Sequence, residues 1–287
     1  MQVAQRPAWL NKKINLRDCN NMQRLLRDLN LHTVCEEAAC PNISECFKKG
    51  IATFMILGQN CTRSCRFCNI GHELPLPIDD MQPAHIAEAV LRLGLRHVVI
   101  TSVTRDDLKD GGARQFAETV LAIRGSCNST TIEVLIPDFN GDSSSIKIVT
   151  DSIPDIINHN LETVPRLYPE VRPEADYSRS LEVLKIAKEV SGGNIYTKSG
   201  IMVGLGEKED EVLDLFQDLR RSECDFLSIG QYLAPSKSHY PVKEYIRPEI
   251  FDFYKQKGKE AGFRFVASAP YVRSSYMAEE YISKEIL

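Results

Sequence analysis

The stretch NCTRSCRFCNIG, residues 60–71, sets Cys61, Cys65 and Cys68 in a CxxxCxxC pattern. It directly follows the apolar run IATFMILG, residues 51–58. A closed structural zinc site takes four ligands, and this loop offers three. From this point on, β-type runs alternate with helical patterns. The strand candidates are residues 52–58, 96–103, 131–137, 155–162, 196–206 and 225–233, each followed by a helical segment. Several are near-continuous Val/Ile/Leu runs, as expected of a parallel sheet covered by helices. Six βα units in series predict an α/β fold, a partial (β/α)6 TIM-type barrel with N- and C-terminal extensions. Chemistry in such barrels gathers at the C-terminal ends of the strands. The three-thiol loop sits at the end of the first.

The bulk properties set outer bounds. At 287 residues the chain can bury a full core. Its apolar content of 43% and charged content of 26% are those of a globular protein. A formal net charge of −4 provides no general positive field for nucleic acid or a membrane surface. No apolar run approaches the ~20 residues that span a bilayer, and the first residues lack the shape of a signal peptide. These features predict neither a nucleic-acid nor a membrane partner, and a location in the cytoplasm or an organelle interior. Nine cysteines, six of them between Cys35 and Cys68, point to metal rather than to a disulfide framework. The expected organisation is an N-terminal extension over residues 1–50, a barrel over 51–247, and a C-terminal helix and tail over 248–287. Sequence after about residue 263 is expected outside the core.

Three thiolates on a [4Fe–4S] cube leave one iron without a protein ligand. The CxxxCxxC loop at the end of the first strand resembles the radical S-adenosylmethionine (SAM) superfamily, and Phe67 before the last cysteine fits that pattern too. The resemblance implies that the open iron binds SAM, and that the pair generates a carbon radical. The bland alternative is a structural zinc loop.

A second triplet lies upstream in CEEAACPNISEC, residues 35–46, with Cys35, Cys40 and Cys46 spaced CxxxxCxxxxxC. Alone it reads as a zinc loop short of a ligand. Beside the first triplet it points to a second cluster. The two patterns in this order resemble the lipoyl synthase family. So do VTRDDLKDGGA (103–113), NHNLETVPRLY (158–168), KSGIMVGLGE (198–207), GQYLAPSKSHYPV (230–242) and RSSY (273–276). The resemblance spans Cys35 to Tyr276. It implies that Cys61, Cys65 and Cys68 hold the SAM cluster, and that Cys35, Cys40 and Cys46 hold an auxiliary [4Fe–4S] cluster. It further implies that the hydroxyl of Ser275 is the fourth ligand of the auxiliary cluster. The tail must then fold back across the barrel mouth to the leader. Without that resemblance, Ser275 reads as an ordinary helix cap.

Other candidates follow from the superfamily pattern. Glu162, near the end of the fourth strand, is expected to hydrogen-bond the SAM ribose; a solvated helix start is the alternative. Gly200 permits close backbone approach, and Met202 packs on adenine. Lys198 is a candidate polar contact to SAM or substrate. Tyr232, or the backbone beside it, lies near the adenine, or is simply core. Asp106 and Asp107 offer carboxylates that either hold a ligand or form a plain acidic loop. His159 is expected to be structural.

The implied activity is insertion of two sulfur atoms at C6 and C8 of an octanoyl group amide-linked to a lysine of a carrier domain, with sulfur from the auxiliary cluster. No residue is expected to act as a catalytic acid or base, because those C–H bonds are unactivated and the cofactor carries the hard step. The implied partners are octanoylated carrier domains (2-oxoacid dehydrogenase E2 subunits and the glycine cleavage H protein), an electron donor such as ferredoxin or flavodoxin, and an iron–sulfur carrier. The rivals are another sulfur-inserting radical-SAM enzyme and a non-catalytic zinc or iron module. Two cubes carry about eight iron per chain, which separates the metal classes.

Overall fold

The computed structural model describes residues 6–12, 19–38, 40–48 and 51–275. Its core is one eight-stranded sheet with the strands in chain order. Strand β1 (His32–Thr33) pairs antiparallel with β2 (Thr53–Ile56). From β2 onward every pair is parallel: β3 (His97–Ser102), β4 (Thr131–Leu135), β5 (Ile156–Asn158), β6 (Tyr196–Val203), β7 (Phe226–Gln231) and β8 (Phe265–Ser268). The edge strands β1 and β8 do not pair with each other, so the barrel is partial and open. The strands are buried on both faces, which is why they read as continuous apolar runs.

Helices cover the outside. In the leader, α1 (Asn20–Asp28), α2 (Val34–Glu37) and α3 (Ile43–Lys48) precede the barrel. Then come α4 (Gln82–Leu93), α5 (Ala113–Ser126), α6 (Ser143–Asp151), α7 (Tyr168–Val171), α8 (Tyr177–Val190), α9 (Glu209–Arg221) and α10 (Pro248–Glu260). Their ends follow local chemistry. Pro83 opens α4, and Gly94 closes it in the left-handed region. The Asp142 carboxylate caps α6 by accepting from the amides of Ser144 and Ser145.

Two features differ from the sequence expectation. Residues 265–268 are not outside the core: β8 adds to β7, with Phe226 opposite Phe265 and Leu227 opposite Val266. Its half-buried alternation is too short to stand out beside α10. The fourth barrel strand is also shorter than residues 155–162. It leaves the ladder after Asn158, and the chain meets β6 again only at a bridge between Glu162 and Ile201.

The lumen wall is read from register. Lys198, Gly200 and Met202 on β6 lie beside Phe226, Ser228 and Gly230 on β7. Lys198 reaches across β5 to Glu133 on β4, so this face points inward. Lys198 Nζ lies 3.0 Å from each Glu133 carboxylate oxygen, and Asn158 Nδ2 donates to Glu133 Oε1 at 2.8 Å. His97 Nε2 stands 3.5 Å from the same carboxylate. Burial works to raise the Glu133 pKa, but Lys198, His97 and Asn158 prevail and hold it at about 2. Lys198 thus belongs to a fully buried ion pair in the barrel interior.

Lys198→Met is expected to cost about 3–5 kcal/mol, because it strands a buried carboxylate. Urea unfolding at pH 7 measures it; a loss below about 1 kcal/mol would contradict the pairing. The sign with pH follows from the depressed value. Glu133's contribution is complete above its ordinary value of 4.5 and is lost as pH falls toward about 2.

Candidate active site in the barrel lumen

The CxxxCxxC loop is pinned from several sides. The Cys61 amide donates to Gly71 O at 2.8 Å, and the Thr104 amide donates to Cys61 Sγ at 3.3 Å. The Arg66 amide donates to Val171 O, and His239 Nε2 stands 3.1 Å from Cys68 O. Arg63, between the first two cysteines, is the main anchor. Its guanidinium makes paired bonds of 2.8 and 2.9 Å to Asp106 and of 2.9 and 2.8 Å to Asp138, and another to Asn140 Oδ1 at 2.8 Å. Arg63 and Asp138 are only 6% and 1% exposed, so water does not screen this pair. Burial works to raise the Asp138 pKa, yet Arg63 holds it at about 2.

Arg63 explains the acidic loop. Asp106 is bonded to Arg63, and Asp107 to Arg105 at 2.8 Å. Asp106 therefore fastens the β3–α5 loop to the β2–α4 loop, while Asp107 pairs within its own loop. The sequence carried a signal for this: an arginine inside the cysteine loop, and Asp/Asn residues at the ends of the next two strands.

Cys65 and Cys68 have pKa values raised by burial, Cys68 to about 12, with the neighbouring thiols and Glu162 adding to the rise. The loop thus gathers its three thiols with Glu162 beside them. Among the described residues no three His, Cys, Asp or Glu side chains converge closely enough to hold a single metal ion. A cube places each thiolate on a different iron, so it needs neighbouring thiols rather than a common centre.

Glu162 is brought to the β6 candidates by backbone pairing. Its amide donates to Gly200 O at 3.0 Å, and its carbonyl accepts from the Met202 amide at 2.8 Å. Residues 162 and 200–202 thus meet as one wall. Burial raises the Glu162 pKa, and Arg172 opposes that. Phe67 and Met202 pack against the same apolar cluster. Next to them, Asn160 Oδ1 and Arg172 Nε are buried without a hydrogen-bond partner. A wall of two apolar side chains, one carboxylate and two unpaired polar atoms beside three thiols fits an amino-acid nucleoside bound to a cluster.

Tyr232 belongs to the apolar cluster against which Phe67 and Met202 pack. It is 1% exposed and its hydroxyl donates to Tyr240 O at 2.7 Å, so the phenol is committed to the core. His159 is buried, donates through Nδ1 to Ile136 O at 2.9 Å, and is held at about 4 by burial and by Arg172, so it is neutral.

The second triplet lies in the leader. Cys35 sits in α2 and Cys46 in α3, and the Cys40 amide donates to Cys35 O at 3.0 Å. Burial pushes Cys35 up to about 12, with Cys40 and Cys46 adding to it. The tail reaches this triplet past the lumen face of β7 and β6. A Cβ on Gly230 would stand 2.1 Å from Val272 O. One on Gly200 would stand 2.7 Å from Asn160 Oδ1 and 3.1 Å from Ser274 Oγ. Only glycine leaves room for the tail at these two places. Asn42 Nδ2 of the leader donates to Tyr271 O at 2.7 Å. Thr53 Oγ1 donates to Ser275 Oγ at 2.7 Å, and Thr53 also hydrogen-bonds Cys35. Tyr276, the last residue of RSSY, lies outside the described residues.

Residues 55–219 match the model of the Radical SAM superfamily. The chain is 56% identical to a lipoyl synthase of Alkaliphilus metalliredigens, over 99% of this chain and 98% of that one. It is 54% identical to a lipoyl synthase of Caldicellulosiruptor saccharolyticus, over 98% of each. Among solved structures, a methylornithine synthase superposes with a TM-score of 0.55 at 12% identity, covering 87% of this chain and 78% of its own. An FeFe-hydrogenase maturase from Carboxydothermus hydrogenoformans gives 0.58 at 15% identity, covering 81% and 66%. These two share the partial-barrel fold. At the identity and coverage of its curated relatives, the chain belongs to the lipoyl synthase family within the radical SAM superfamily.

Proposed function

We propose that this chain inserts two sulfur atoms, at C6 and C8, into an octanoyl group carried on a lysine of a lipoyl-carrier protein. The bond from Thr53, which also meets Cys35, to Ser275 Oγ supports this reading, because it sets one oxygen beside three thiols as a candidate fourth donor. Cys61, Cys65 and Cys68 would hold one [4Fe–4S] cluster, and Cys35, Cys40, Cys46 and Ser275 the other. When bound, the two clusters and SAM supply the electron, the hydrogen-abstracting radical and the sulfur.

The protein's own part is binding, orientation and exclusion of water. Arg63 fixes the loop that carries one thiol set. Glu162 and Asn160 present polar groups to SAM, while Phe67 and Met202 offer it an apolar surface and Gly200 leaves room for Asn160 and the tail. The tail along β6 and β7 closes the lumen between the two triplets and keeps water from the reacting carbons. No side chain is needed as an acid or base, since hydrogen leaves the alkyl chain as an atom.

The carrier partners are E2 subunits of 2-oxoacid dehydrogenases and the glycine cleavage H protein. Ferredoxin or flavodoxin donates electrons, and an iron–sulfur carrier restores the consumed cluster. Clustered, metal-type cysteines suit a reducing cytoplasm or organelle interior. Among the described residues no helix is long and apolar enough to cross a membrane.

The test is an anaerobic incubation of the reconstituted enzyme with an octanoyl-lysyl peptide, SAM and a reductant. Mass spectrometry is expected to show two hydrogens replaced by two sulfurs in the product. SAM cleavage with an unchanged peptide would reject the substrate, and a zinc-loaded protein without labile sulfide would reject the whole reading.

A further inference from the structure

One side-chain amide joins the two halves of the site. Asn160 Nδ2 donates to Ser274 Oγ at 2.6 Å and to Glu162 Oε1 at 3.0 Å. Asn160 is only 9% exposed, and its main-chain carbonyl accepts from Arg172 Nη1 at 3.0 Å. Glu162 adopts a left-handed φ of 67°, a conformation that a non-glycine residue keeps only when its surroundings hold it there. The backbone of Gly200 and Met202 holds its main chain, and Asn160 holds its carboxylate.

Ser274 and Ser275 are consecutive, and their hydroxyls are anchored on opposite sides. Ser274 bonds Asn160 after β5, and Ser275 bonds Thr53 on β2. Neighbouring Cα atoms are about 3.8 Å apart across a trans peptide. With so short a tether, one serine cannot shift far without drawing on the anchor of the other.

We propose that Ser274 is a positioning residue for SAM: through Asn160 it sets the Glu162 carboxylate, and it thereby couples SAM binding to the placement of Ser275. The inference rests on the assignments of Glu162 to SAM and Ser275 to the auxiliary cluster made above. By linkage the coupling is reciprocal. SAM bound against Glu162 steadies the 274–275 turn, and departure of Ser275 from its place weakens the hold on SAM. The two events of the reaction, radical generation and sulfur release, would then be ordered by one hydrogen-bonded path.

The test uses the enzyme with both clusters reconstituted under anaerobic conditions. Equilibrium dialysis gives the SAM Kd for the wild type, Ser274→Ala and Glu162→Gln. Ser274→Ala is expected to weaken SAM binding roughly 3- to 10-fold, the scale of one net hydrogen bond. Glu162→Gln is expected to weaken it at least as much. A purely structural Ser274 would alter unfolding but leave the Kd alone. A Ser274→Ala Kd within about twofold of wild type, with Glu162→Gln impaired, overturns the coupling and leaves the Glu162 assignment standing. An unchanged Kd in Glu162→Gln overturns that assignment and the coupling with it. Hydrogen exchange on the wild type alone supplies a second reading that no variant's folding can confuse. SAM should slow exchange in the peptide covering residues 270–275, and no change there rejects the proposal.

Discussion

Cys61→Ala, Cys65→Ala and Cys68→Ala are each expected to abolish reductive cleavage of SAM, a loss of at least about a thousandfold, or more than about 4 kcal/mol in the barrier. The three thiols are the loop's whole donor set, so removing one leaves a site that cannot retain its cluster. The surroundings will not supply a replacement. Asp106 and Asp138 are bonded to Arg63, Asp107 is bonded to Arg105, and His159 donates to Ile136 O. Glu174 accepts from the Ser64 amide and hydroxyl, and Glu162 has its backbone pinned to β6. The measurement is 5′-deoxyadenosine formed per chain under dithionite. Normal production by any of the three variants would remove that cysteine from the ligand set. Iron and sulfide analysis should show about half the wild-type content, since the second cube is held elsewhere.

Cys35→Ala, Cys40→Ala and Cys46→Ala are expected to behave differently. They should cleave SAM at close to the wild-type rate yet form no lipoyl product. The reason is spatial: Cys35 lies in α2, Cys46 in α3 and Cys40 between them, and the bond from the CxxxCxxC loop to α2 runs from Asn69 Nδ2 to Glu37 O and not to a cysteine. Ser275→Ala should fall in the same class with a partial loss, because three thiols remain. Ser275→Ala should also change the Mössbauer spectrum of the auxiliary cluster when measured in a background lacking Cys61, Cys65 and Cys68. An unchanged spectrum would take Ser275 out of the ligand set and direct attention to Ser274. Lipoyl product from any of the upstream cysteine variants would mean that sulfur comes from another source.

Much of the site was legible because its chemistry is local in sequence. Cys61, Cys65 and Cys68 fall within eight residues, and Cys35, Cys40 and Cys46 within twelve. Thiols so close in the chain are close in space under almost any fold. The strand runs were legible for a related reason: burial on both faces demands apolar residues at every position, as in the fully buried β2 and β7. Single polar residues on inward-facing strands were not legible. Lys198 and Glu162 both lie in motif-like stretches and both are charged. One is paired across the lumen to Glu133, and the other lines the candidate SAM wall. The difference lies in how far along its strand each stands. Tyr232 shows the same limit, since nothing in its local sequence says that its hydroxyl pairs with Tyr240 O.

By itself, then, the sequence determined the alternation of β and α, the two thiol triplets and the order in which they occur. These depend on spacing and on burial, which are properties of short segments. Only the tertiary structure decided which polar groups meet. Arg63 joins Asp106 and Asp138 from the next two loops, Thr53 meets Ser275 at a separation of 222 residues, and Asn160 links Ser274 to Glu162. Hydrogen bonds and ion pairs act over a few ångströms and are directional. Their partners are chosen by where the barrel closes its strands and where Gly200 and Gly230 let the tail pass, and a linear string of residues does not carry that information.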